Sequence, residues 1–267
     1  MSGFLAGGLP WPPEGGHNGH MGRAKGHVDW FAGKVLSRRA AFRSEYLDFE
    51  RGIRVGHLEP EERITRIVKS RLESRHAARM ICDRWGRGVY WQWICWVPEP
   101  NRKAKPLSSA YNFGSAKFFV ALERDEGIFQ SGMQIERAPV KPAKDDWPVR
   151  VEKDWDWNVL LRALRGKELP RILARLLREG FRVRVGAFSS LRDFNRGSWD
   201  PGACYKAARG FPADEWGGFQ LFWPMTEKEV KATTGREIID AAMAVFDEVA
   251  PAMNLCMYSP CLRVPAS

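Results

Sequence analysis

The chain lacks the short signatures that identify a chemistry on sight. It has no phosphate-cradling P-loop, no dinucleotide-binding glycine fingerprint, no zinc-protease helix motif and no paired Cys-x-x-Cys. It lacks an apolar run long enough to cross a bilayer. Met1 to Pro13 has neither the charged start nor the apolar stretch of a secretory signal. No membrane partner is therefore expected. Cysteine is scarce: Cys82, Cys95, Cys204, Cys256 and Cys261 are odd in number and scattered. That pattern suits reduced thiols in a cytoplasmic protein better than a disulfide framework. Histidine is equally scarce. His17, His20 and His27 fall in a flexible Gly/Pro/His-rich tail over residues 1–27, which supplies no rigid ligand geometry. No metal and no other cofactor is expected. Of the remaining two, His57 and His76, the latter lies on or beside the apolar side of a predicted helix and reads as a packed residue.

Catalytic constellations are also thin. Asp145-Asp146, Glu152, Asp154, Asp156, Asp193 and Asp200 are the acids a metal-dependent nuclease would draw on, and none stands in a specific spacing. Cys204 is a candidate nucleophile in a polar stretch with Lys206 and Arg209, but no partner base can be assigned to it.

What the chain has is apolar mass and positive charge. Its 267 residues are 44% hydrophobic, enough for a sizeable core, and its net charge is +10. The charge sits in two blocks. Residues 23–87 carry 16 basic and 9 acidic groups, and residues 160–210 carry 12 and 4. Residues 211–267 reverse the sign, with 4 basic against 8 acidic. Arginines number 29 and lysines 13, and arginine is the residue that pairs phosphate bidentately and stacks on bases.

The hydrophobic pattern predicts an α+β fold: a mostly antiparallel sheet of about five strands flanked by helices, with an N-terminal helical extension. After the tail, residues 28–267 read as a single domain, with 138–148 as an internal linker. Residues 28–52 read as helical. Glu59-Pro60-Glu61-Glu62 opens a stronger helix, because Pro60 suits its first turn and carboxylates suit the positive end of its dipole. Ile64, Ile67, Val68, Leu72, Met80 and Ile81 recur at helical spacing until Gly86 and Gly88 stop the run. Val89 to Val97 is apolar on both faces and is predicted to be a central strand. Lys117 to Arg124 and Ile128 to Arg137, joined through Asp125-Glu126-Gly127, predict an antiparallel hairpin. Gln130, Gln134 and Glu136 give its second strand a polar face, open to solvent or to a ligand. Helices at 154–165 and 168–179, a strand at 181–188, a long connection from Ser189 to Gly218 and a short strand from Phe219 to Trp223 follow. Two capping boxes, Thr226-x-x-Glu229 and Thr234-x-x-Glu237, then start helices.

Cations interleaved with small polar groups and rings suit phosphate contact, positioning and base stacking. One set is the helical stripe Arg71, Arg75 and Arg79. A second is Arg102, Lys103 and Lys105 in a basic loop. A third is the helical stripe Arg171, Arg175 and Arg178. The last is Arg192, Arg196, Lys206 and Arg209 in the long connection, where Trp199 and Trp216 are candidate ligand-facing rings. The reading that follows is a nucleic-acid-binding protein, DNA or RNA, serving as a non-catalytic subunit of a larger cytoplasmic assembly. One alternative is an enzyme acting on a phosphorylated or nucleic-acid substrate at the 189–218 loop. Another is a protein-interaction adaptor. The acidic last helix, with Glu237, Asp240, Asp247 and Glu248, is expected to meet a basic protein partner or the chain's own basic block.

Overall fold

The computed structural model describes residues 41–105, 112–139, 155–210 and 212–264. The tail, residues 28–40 of the predicted helical extension and nearly all of the predicted linker lie outside them. The chain first forms a small hairpin, β1 (Leu47–Asp48) and β2 (Gly52–Arg54). Helix α1 (Ile64–His76) follows, then β3 (Met80–Arg87), β4 (Tyr90–Pro98) and the short α2 (Glu99–Lys103). Next come the hairpin β5 (Lys117–Glu123) and β6 (Ile128–Arg137), and the helices α3 (Asp156–Arg165) and α4 (Glu168–Arg178). The remainder is β7 (Arg182–Ala187), β8 (Arg192–Phe194), α5 (Pro201–Gly210), β9 (Gly217–Thr226), α6 (Glu227–Lys231) and α7 (Gly235–Cys256).

The nine described strands make one sheet in which every pair is antiparallel. Strand β4 carries β3 along one edge and β5 along the other, and β2 joins it at Tyr90 and Trp91. From β5 the sheet runs through β6, β9 and β7 to β8. Strand β9 enters between β6 and β7, in register with β6 from Ile128↔Thr226 to Arg137↔Gly217. Alternation of side chains then sorts each strand onto two faces. Ile94, Trp96, Phe118, Val120, Phe129, Met133, Ile135, Val183, Val185, Phe219 and Leu221 share one core with the apolar sides of α1, α3, α4, α5 and α7. Helix α7 alone buries Ile238, Ile239, Met243, Phe246, Val249 and Met253 there. Each large apolar side chain so buried contributes about 1.5–3 kcal/mol, against about 1 kcal/mol for a cap, so burial rather than capping docks the helix. The opposite face has its own smaller cluster, Cys95, Val97, Phe119, Ala121, Ile128 and Phe222, to which no described helix contributes.

One irregularity re-aims a ring. The β3–β4 register slips between Trp85↔Trp93 and Gly86↔Trp91, leaving Gln92 unmatched on β4. This β-bulge turns Trp91 to the helix-covered core, while Trp93 stays on the opposite face with Trp85. The hairpin closes through Gly88-Val89, with Gly88 at φ 63° in the first loop position, as a tight type II′-like turn requires.

The α+β class and the antiparallel sheet agree with the expectation; the strand number does not. Four strands account for the difference. Residues 47–52, expected within a helix, instead form β1, its turn and the start of β2, because the apolar residues there pack from a sheet edge. The helix expected to run through Ile81 stops at His76, with Ala77 in the left-handed region at φ 50°. Met80 and Ile81 begin β3 instead. The long connection from Ser189 to Gly218 is not structureless: it holds β8 and α5. The last strand spans ten residues and not five. Gly127 closes the β5–β6 turn at φ 61°, and both capping boxes form.

Candidate nucleic-acid interface

Two arginines of the first basic block pair with the acidic side of α7. Arg71 donates to Asp240, and Arg75 meets Asp247 at 2.5 Å. From the other side of α7, Arg175 of α4 reaches Glu248 at 2.9 Å and Glu179 at 3.0 Å. Hydrogen bonds and charge from those two carboxylates raise the Arg175 pKa against the opposing effect of burial. The acidic helix therefore meets the chain's own basic residues through Asp240, Asp247 and Glu248. Arg79 is not part of the α1 stripe. It sits in the link to β3 and shares Glu99 with Lys103, at 3.3 and 2.6 Å. Arg102 is half-buried on α2.

Lys105 has the most different environment from its expectation as a surface cation. It is fully buried, with its Nζ 2.9 Å from Asp156 and 2.8 Å from the Ser115 hydroxyl. Asp156 also accepts from Asn101 at 2.7 Å, from the Ala116 amide at 2.6 Å and from the Tyr258 amide at 2.8 Å. A buried ion pair whose carboxylate accepts four hydrogen bonds ties α2, α3, the start of β5 and the C-terminal segment together. Lys105 thus belongs to the interior.

The second block behaves differently. Of its twelve basic side chains, Arg175, Arg182 and Arg184 are ion-paired. The other nine are exposed and make no ion pair among the described residues: Arg162 and Arg165 on α3, Lys167 just before α4, Arg171 and Arg178 on α4, Arg192 and Arg196 on and after β8, and Lys206 and Arg209 on α5. The elements are contiguous. Helix α3 packs on α4 and α5, α5 packs on β7, and β7 pairs with β8. Amphipathic spacing explains the presentation: Leu169, Leu173, Leu176 and Leu177 bury one side of α4 and leave Arg171 and Arg178 on the other.

The groups suggested for catalysis in the 189–218 stretch are committed elsewhere. Cys204 is buried on the inner side of α5, where burial pushes its thiol up to about 12. Asp193 holds Arg184 at 2.7 Å across the β7–β8 pair. Trp199 packs edge-on against Phe194, and Trp216 against Phe113. Among the described residues no group of three or more His, Cys, Asp and Glu side chains is placed to hold a metal ion, and no helix is long and apolar enough to cross a membrane. No protein-family model, curated protein or solved structure matches the chain.

The polar side of β6 was visible in the sequence, but its partners were not. Glu136 takes the Lys117 ammonium at 2.5 Å and the Gln134 amide at 2.8 Å. The Gln134 carbonyl accepts from the Trp93 indole at 2.9 Å and from Gln220 at 3.0 Å. Burial opposes the charge on Lys117, but Glu136 outweighs it and raises its pKa, so this lysine is a fixed cation and not a base. The Lys117 ammonium lies 5.5 Å from the centre of the Trp93 ring. The network therefore fixes Trp93 in orientation on the open end of the sheet. Polar residues recurring two apart on β6 were the signal. What was missing was the cross-strand register that sets Lys117 opposite Gln134 and Gln134 opposite Gln220.

Proposed function

We propose that the protein binds nucleic acid through the surface formed by α3, α4, β8 and α5. The observation that carries the proposal is the number of unpaired cations on the second basic block. Arg71, Arg75 and Arg79 of the first block are ion-paired within the chain, as is Arg175 of the second, whereas nine exposed cations of the second block have no carboxylate partner among the described residues. Unpaired arginines on adjoining elements attract phosphate and release its counterions, which gives affinity without a bound metal or a catalytic group. Arg171, Arg178, Arg192, Arg196, Lys206 and Arg209 are the binding residues in this reading, and Arg162, Arg165 and Lys167 extend the same surface. The protein then acts as a binding subunit. Burial of Cys204 and the commitment of Asp193 to Arg184 weigh against the enzymatic alternative at this stretch.

The test is anisotropy of labelled DNA and RNA against the full chain from about 50 to about 200 mM salt. The expected result is a linear fall of log affinity with log salt. Replacing Arg192, Arg196, Lys206 and Arg209 together by alanine should flatten that slope, by about 0.9 per lost duplex phosphate contact. Replacing Arg71 and Arg75 should leave it unchanged. Binding that survives the fourfold variant would move the interface elsewhere. Absence of binding to every nucleic acid would leave the surface for an acidic protein partner.

A further inference from the structure

The far edge of the sheet carries a second ring-and-arginine surface that the proposed interface does not use. Trp85 on β3 stands directly opposite Trp93 on β4, and Arg87 opposite Tyr90, which is itself opposite Arg54 of β2. These five side chains share one face at the hairpin end. Trp85, Tyr90 and Trp93 are each half-buried. Trp85 packs against no buried apolar cluster, unlike Trp91, which the bulge at Gln92 sends into the core. The neighbouring rings are held rigidly. Trp93 is fixed by Gln134 and Lys117, and the Arg51 guanidinium lies 4.5 Å from the centre of the Tyr90 ring while bound to Asp48. Arg54 and Arg87 make no ion pair among the described residues, and the Arg54 Nε is a buried donor with no partner.

Rigid rings that are not consumed by the core, flanked by unpaired guanidinium groups, are the chemistry that recognises an unpaired nucleobase on a phosphodiester chain. The base stacks on the ring or guanidinium plane, and the cations take the phosphates. A base pair inside a duplex cannot offer its face to such a platform. We infer that the Trp85–Tyr90 face of the β3–β4 hairpin binds single-stranded nucleic acid by stacking. This inference rests on the nucleic-acid reading above and adds to it a strand preference and a second contact point.

The experiment uses the full chain with labelled oligothymidylate, oligouridylate and a DNA duplex, each of about 20 nucleotides. The expected result is tighter binding of the single strands. Trp85→Ala should weaken single-strand binding between about fivefold and about a hundredfold, leaving the salt slope and duplex affinity unchanged. Trp85→Phe should restore most of the loss. Arg87→Ala should lower the salt slope for the single strands. The two single-stranded probes distinguish DNA from RNA. Should Trp85→Ala fail to fold, Tyr90→Ala and the exposed Arg87→Ala decide the question. Variants that melt as the wild type does and bind oligothymidylate and oligouridylate equally well overturn the inference. If duplex binding persists with no preference for single strands, this inference alone falls. If no probe binds, both readings fall.

Discussion

Asp156 and His76 show what burial does to a charge. Asp156 accepts four hydrogen bonds and neutralises Lys105 where neither side chain meets water. Removing one charge of such a pair leaves the other uncompensated, at a cost of about 3–5 kcal/mol. Asp156→Asn should therefore lower stability by that order in urea unfolding. Lys105→Met should cost less, because the carboxylate keeps its amide donors. His76 is buried against Phe118, with its Nδ1 2.8 Å from the Arg263 carbonyl. Burial holds its pKa below the usual imidazole value, outweighing the hydrogen bond and the nearby Asp247. The unfolded chain then binds the proton more readily than the folded one. This contribution to stability is complete above the ordinary histidine pKa and is lost as pH falls through it toward the folded value. Melting temperature should decline between about pH 7 and about pH 5, and His76→Phe should flatten that decline. Asp247, whose carboxyl burial raises, acts with the opposite sign as pH falls through its own range.

At the scale of elements, local signals were reliable where the residue itself creates the geometry. Thr234 accepts from the Glu237 amide and Glu237 bonds back to the Thr234 amide, a reciprocal cap written in four residues. Thr234→Ala should cost about 1 kcal/mol, measurable by urea titration. Those hydrogen bonds hold the Glu237 pKa below its usual value, so the cap should weaken on acidification through the carboxylate range. Signals failed where a neighbour decides. Nothing in the run from Arg75 to Cys82 breaks a helix: no glycine or proline intervenes, and Met80 and Ile81 keep the helical spacing. The turn at Ala77 exists because β4 offers Met80 to Arg87 a strand edge. Gly132 is a second case. Its place within β6 is set by its neighbour: a Cβ there would lie 2.0 Å from the Leu221 carbonyl oxygen of β9. Gly132→Ala should force β6 from β9 and lower the melting temperature by more than the cap variant does.

Over the whole molecule, charge is sorted by pairing more than by composition. The +10 excess sits in two basic blocks, of which residues 160–210 have the fewer acids, and folding widens that difference. Helix α7 draws Arg71, Arg75 and Arg175 into surface ion pairs, while the α3–α4–β8–α5 surface keeps its cations free. Such exposed pairs are each worth at most about 1 kcal/mol and are screened by salt. Asp247→Asn should therefore change stability little, yet add positive charge beside α1. A weak rise in nucleic-acid affinity at low salt, gone at about 150 mM, is the expected result in the anisotropy assay. The sequence by itself determined the α+β class, the β5–β6 hairpin, the α3 and α4 helices, both capping boxes and the polar side of β6. Each of these depends on periodicity or on residues within a few positions of one another. The tertiary structure alone decided that β3 is a strand, that Lys105 is interior, that Cys204 is buried and that the α1 arginines Arg71 and Arg75 are ion-paired. Those outcomes depend on partners such as Asp156, 51 residues from Lys105, and Asp247, 172 residues from Arg75. No local pattern encodes which distant carboxylate a cation will meet, because that is fixed only when the sheet and α7 pack.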